Sequence, residues 1–112
     1  MINYPQEFHN DITVVTAPKK LEGNESISFR DAIIDIVEKG TNKLIIDLTS
    51  TEFMDSEGIS AIVARISLTR SNNGDIRLIV KTEFVKHILE VTHLDKMLQT
   101  FNSLDAALGS FK

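Results

Sequence analysis

The sequence predicts an α/β domain: a mixed, mostly parallel sheet of four to five strands with about four helices, opening with a β-hairpin. Three observations carry this. Short runs rich in Ile, Leu and Val, notably Lys43-Leu44-Ile45-Ile46-Asp47-Leu48 and Ile76 to Val80, read as strands buried on both faces. Between them lie stretches whose apolar residues recur every three or four positions, as in helices with one buried face. Strand and helix then alternate after the opening segment, which is how parallel strands are connected.

Each element follows from its residues. Tyr4 to Phe8 forms one strand, His9-Asn10-Asp11 the turn, and the β-branched Ile12-Thr13-Val14-Val15-Thr16 the return strand. Pro5 donates no hydrogen bond, so it belongs at an edge or among the first residues. Ala17 to Glu25, with Pro18, Gly23 and Asn24, reads as a loop. The first helix carries Phe29, Ile33, Ile36 and Val37 on one face, with Ile34 beside them. Ser28 with Asp31 forms a possible capping box for it, and Asn24 or Ser26 are the alternatives. Gly40 suits the left-handed position that ends a helix.

A second helix carries Ile59, Ile62, Val63 and Ile66 in one stripe, with Ala61 and Ala64 alongside, and ends at Asn72-Asn73-Gly74. Thr82 caps a short helix with Phe84, Val85, Ile88 and Leu89 inside. Met97 to Phe101 reads as a final strand. Ser103 begins a last helix whose Leu104, Ala107, Leu108 and Phe111 keep the helical period.

The chain has 112 residues, room for one domain over 1–112. It has no cysteine, so disulfides and thiolate chemistry are excluded. The start, Met1-Ile2-Asn3-Tyr4-Pro5-Gln6-Glu7, has neither the basic nor the apolar stretch of a signal peptide, and no apolar run approaches a membrane span. A cytoplasmic protein is expected. The net charge is −4, and the 12 basic residues are scattered, with Lys19-Lys20 the sole adjacent pair. Nucleic acid and membrane are therefore discounted as partners.

The informative segment is Thr49-Ser50-Thr51-Glu52-Phe53-Met54-Asp55-Ser56-Glu57-Gly58-Ile59, which joins a buried strand to an amphipathic helix. Sites in α/β sheets gather outside the C-terminal ends of strands. Phe53 and Met54 are expected to pack down, and Asp55 or Ser56 to take the N-cap. Gly58 leaves the first turn bare, so that another chain can approach the backbone. Read as local chemistry alone, Asp55 and Ser56 are caps and Gly58 eases packing. The functional reading makes Ser56 a phosphoacceptor: a helix N-terminus favours an added anion, and about −1.5 to −2 charges would join Asp55 and Glu57.

Asp55-Ser56-Glu57-Gly58-Ile59, following Ile45-Ile46-Asp47-Leu48-Thr49 and Phe53-Met54, resembles the signature of STAS domains of the anti-sigma-factor antagonist type. The closing Phe101-Asn102-Ser103-Leu104-Asp105-Ala106-Ala107-Leu108 is also similar to the family's end, and the order of elements agrees from about Tyr4 to Phe111. The resemblance implies a partner switch without catalytic residues. The unmodified form would bind an anti-sigma factor that is also a serine/threonine kinase. Phosphorylation at Ser56 would weaken that complex, and a metal-dependent phosphatase would restore the serine. The partner surface it implies comprises Met54, Asp55, Ser56, Glu57, Gly58 and Ile59, with Asn24 from the preceding loop. Glu57 departs from the small or hydroxyl residue frequent at that position. The Pro18 to Glu25 loop departs from the family's Gly-and-Leu-Asp pattern, and His93 stands where the family often has glycine.

Other chemistries find less support. His9, His87 and His93 are not spaced as metal ligands, so neither metal nor cofactor is expected. Ser56 lies in no Gly-x-Ser-x-Gly elbow, and Asp55 and Glu57, two apart at a helix start, do not face each other. An enzyme is not expected. The alternative is a STAS scaffold or docking subunit of a larger complex, with Met54 and Ile59 as lasting docking contacts.

Overall fold

A computed structural model of the chain describes residues 4–112. The opening hairpin pairs β1 (Gln6–His9) with β2 (Ile12–Thr16) in antiparallel register, Gln6 opposite Val15 and His9 opposite Ile12. Asn10 adopts φ 57°, the left-handed conformation that a two-residue hairpin turn requires and that asparagine tolerates. β4 (Lys43–Asp47), β6 (Asp75–Ile79) and β7 (Thr100–Phe101) extend the sheet in parallel, giving the order β1-β2-β4-β6-β7. The five-stranded, mostly parallel sheet is the architecture expected.

Two short strands lie apart. β3 (Lys20–Leu21) pairs in parallel with β5 (Phe53–Met54) as a separate two-stranded ribbon. Both fall in segments read from the sequence as loop, because two residues carry no periodicity.

The helices are α1 (Asn24–Glu38), α2 (Ser56–Val63), α3 (Ile66–Ser71), α4 (Glu83–Val91) and α5 (Leu104–Gly109), with a 3₁₀ turn at Leu94–Lys96. The expected second helix is broken into α2 and α3. Arg65 leaves helical geometry at φ −126° and its guanidinium reaches Glu38 at 3.1 Å on α1. Thr82 and Ser103 cap α4 and α5 as expected, accepting from the amides of Val85 and Ala106. The final strand is shorter than Met97 to Phe101, because Met97 belongs to the turn before it. His93 follows α4 at φ 61°, a left-handed position that glycine takes without steric cost.

Strand alternation splits the core in two. Val15, Leu44, Ile46, Ile76 and Leu78 pack with Phe29, Ile33, Ala61, Ile62 and Leu89. Ile12, Val14, Ile45 and Ile79 point to the other face, where Ala107, Leu104, Leu108 and Phe111 cover them. This is why β4 reads as continuously apolar: neither face meets water. On the α5 side, buried Asp75 accepts from Arg70 Nε at 2.8 Å and Arg77 Nε at 3.0 Å. Arg77 also donates to the Ser110 carbonyl and lies 4.1 Å over the Phe111 ring.

Candidate functional site

The chain leaves β4 at Asp47, whose carboxylate accepts from both the amide and the hydroxyl of Thr49. Thr51 then donates to the Pro18 carbonyl at 2.9 Å, and its own carbonyl accepts from Thr82 at 2.8 Å. These bonds tie the strand-to-helix turn to its neighbours on both sides. β5 next runs beside β3, with the Glu52 amide on the Lys19 carbonyl and the Asp55 amide on the Leu21 carbonyl. The turn is therefore fixed before α2 begins.

Of the two candidate caps, Asp55 takes the role. Its backbone is extended, at φ −94° and ψ −176°, and Oδ1 accepts from the Gly58 amide at 2.8 Å. Ser56 is the first residue of α2 and is exposed, as is Glu57.

The same carboxylate reaches across to α1. Oδ2 accepts from the Gly23 amide at 2.8 Å, and Oδ1 accepts from the Ser26 hydroxyl at 2.9 Å. None of the caps expected for α1 forms: Gly23 occupies its N-cap at φ 58°, and no side chain of α1's own supplies the bond. The Gly23 amide at the start of α1 is instead held by a residue 32 positions away. The two amides and the hydroxyl stabilise the anion, the Gly23 amide most, and hold the Asp55 carboxyl below the usual carboxylate range.

Three expectations about this segment are corrected. Gly58 is buried under the chain's own Leu21, where a Cβ would stand 2.8 Å from the Leu21 carbonyl oxygen. The close approach that glycine permits is thus internal. Met54 is 3% exposed in the larger core cluster, so it is not a surface docking contact. Phe53 does not pack down: it is 38% exposed and stacks on Phe84 of α4 at 5.4 Å between ring centroids. Strand alternation sends one of the pair inward and the other out. Ile59 is half-buried, and Asn24 is exposed beside Gly23. Ser26, Gly23 and Leu21 join the site without having been singled out for it. Leu21, an apolar residue in an otherwise polar loop, is the one signal the sequence offered.

A family model of the STAS domain matches residues 3–107. The chain belongs to the STAS domain family. Among its relatives is a Thermotoga neapolitana protein provisionally named an anti-sigma factor antagonist, 26% identical over 106 residues and covering 94% of each chain. In fold, this STAS domain is similar to a Thermotoga maritima protein with the same provisional name, at a TM-score of 0.88 and 24% identity, covering 96% of this chain and 93% of that one. It is also similar to the Bacillus cell fate determinant SpoIIAA in its phosphorylated form. There the TM-score is 0.74 and the identity 15%, covering 98% of this chain and all of the other. Among the described residues no helix is long and apolar enough to cross a membrane, and no group of three His, Asp or Glu stands ready to hold a metal.

Proposed function

We propose that this STAS domain is an anti-sigma-factor antagonist acting as a partner switch, with Ser56 as its phosphoacceptor. The observation that carries the reading is the division of labour at the start of α2. Asp55 caps the helix, and Ser56, the next residue, is exposed on the first turn with its side chain taking no part in the cap. A serine needed as the cap would be held by the fold; this one is presented to solvent.

The unmodified domain binds an anti-sigma factor that is also a serine/threonine kinase, through Asn24, Ser56, Glu57 and Ile59 around the start of α2. Phosphorylation adds about −1.5 to −2 charges beside the carboxylates of Asp55 and Glu57. A carboxylate of the partner within about 5 Å of such a dianion is opposed by roughly 1.5 kcal/mol even in water-like surroundings. A serine phosphatase reverses the change. The domain is a substrate in this cycle and not an enzyme.

The test is binding to the cognate kinase by native protein, Ser56→Ala and Ser56→Asp. The alanine variant is expected to bind as the native form does, and the aspartate variant to lose about 1–3 kcal/mol. Equal affinity of all three refutes the switch. Intact-mass measurement after incubation with kinase and ATP, followed by site mapping, places the phosphoryl group.

A further inference from the structure

Ser26 is a buried polar residue, fully shielded from solvent in the first turn of α1, and its hydroxyl bonds Asp55 Oδ1. Asp55 Oδ1 also accepts the Gly58 amide, so one oxygen is shared between the two helix starts. We infer that Ser26 is a positioning residue for Ser56: from α1, its hydroxyl fixes the Asp55 carboxylate that caps α2, and so sets how Ser56 is presented to a modifying enzyme. The inference rests on the reading of Ser56 as phosphoacceptor.

The geometry gives Asp55 little freedom. Its amide is tied to the Leu21 carbonyl at 3.0 Å, and its second oxygen to the Gly23 amide. Backbone and both carboxylate oxygens are thus anchored to residues 21–26, and Ser56 is the next residue. Gly58, pressed against Leu21, fixes the other side of the first turn. Without the Ser26 hydroxyl, Oδ1 keeps one donor in place of two, and the Gly58 and Gly23 amides alone hold the carboxylate, less tightly than three donors do. Ser56 then samples a wider range of positions. Phosphoryl transfer is sensitive to such spread, because a misplacement of about 1 Å costs up to about a hundredfold in rate.

Two variants separate hydrogen bonding from packing. Ser26→Ala removes the hydroxyl and leaves a small void; Ser26→Cys fills that space with a somewhat larger atom that is only a weak donor. Amide hydrogen exchange of Gly23 and Gly58 is followed by NMR in the full chain. Phosphorylation of Ser56 by the cognate kinase is followed with kcat and KM resolved. Both variants are expected to exchange Gly58 about fivefold faster than native protein. Both should lose about tenfold in kcat with a smaller change in KM.

Native-like behaviour of Ser26→Cys with loss confined to Ser26→Ala makes the role one of packing and overturns the inference. So does faster exchange with unchanged kcat. Failure of the native protein to accept phosphate from the kinase removes the reading of Ser56 instead. The exchange at Gly58 then still decides whether Ser26 holds the start of α2, unchanged exchange refuting it.

Discussion

Gly58→Ala is the sharpest probe of how the site is built. Gly58 has an ordinary helical backbone, so alanine brings no conformational strain and gains up to about 1 kcal/mol of helix propensity. Against this stands the Cβ, which would lie 2.8 Å from the Leu21 carbonyl oxygen, 3.0 Å from its Cγ and 3.2 Å from its Cδ2. The nearest atom is backbone and cannot swing aside, and that carbonyl already accepts the Asp55 amide. Overpacking costs about 1–3 kcal/mol, and a 2.8 Å contact with backbone belongs to the upper half of that range, leaving a net loss of about 1–2 kcal/mol. With an unfolding entropy of about 2.1 cal/mol/K per residue, each kcal/mol lowers the Tm of this chain by about 4 °C. The expected fall is therefore about 4–8 °C. Gly109→Ala in α5 is the control, since nothing lies within 4 Å of its added Cβ, and it should gain stability by about 0.5–1 kcal/mol. Urea and thermal unfolding of both variants measure this. If Gly58→Ala is as stable as native protein, the packing of Leu21 on α2 is refuted.

Further outcomes follow from other contacts. Because the folded state holds the Asp55 carboxyl below its ordinary value, the stability it contributes is present above about pH 4 and is lost as pH falls through the lowered value. Asp55→Asn should therefore be less stable than native protein at pH 7, and the gap should close below about pH 4 in acid titrations of urea stability. A gap unchanged by acid refutes the role of the anion. Asp75→Asn weakens the hold on two guanidinium groups, Arg77 being the more buried, and should cost about 3 kcal/mol in chemical unfolding. A loss under 1 kcal/mol would show that the pair carries little. His93→Gly should raise stability by about 0.5–1 kcal/mol, because φ 61° costs histidine more than it costs glycine. A loss in thermal unfolding contradicts this.

What could be read in the sequence is what depends on neighbours within a turn or along a strand. The apolar run at Leu44 to Ile46, the helical spacing of Phe29, Ile33 and Ile36, and the caps Thr82 and Ser103 announce their elements locally. So does the place of Ser56, at the start of a helix following a buried strand. The tertiary structure decided the rest. It gave the cap to Asp55 and left Ser56 exposed, carried the Asp55 carboxylate to Gly23 and Ser26, turned Met54 inward, and closed Gly58 under Leu21. The reach of the Asp55 carboxylate and the closing of Gly58 join residues about 30 or more positions apart, and the turn of Met54 depends on which face of a two-residue strand meets the core. Periodicity and propensity reach only a few residues along the chain. Contacts between α1, β3 and α2 exist only once the sheet has brought those elements side by side.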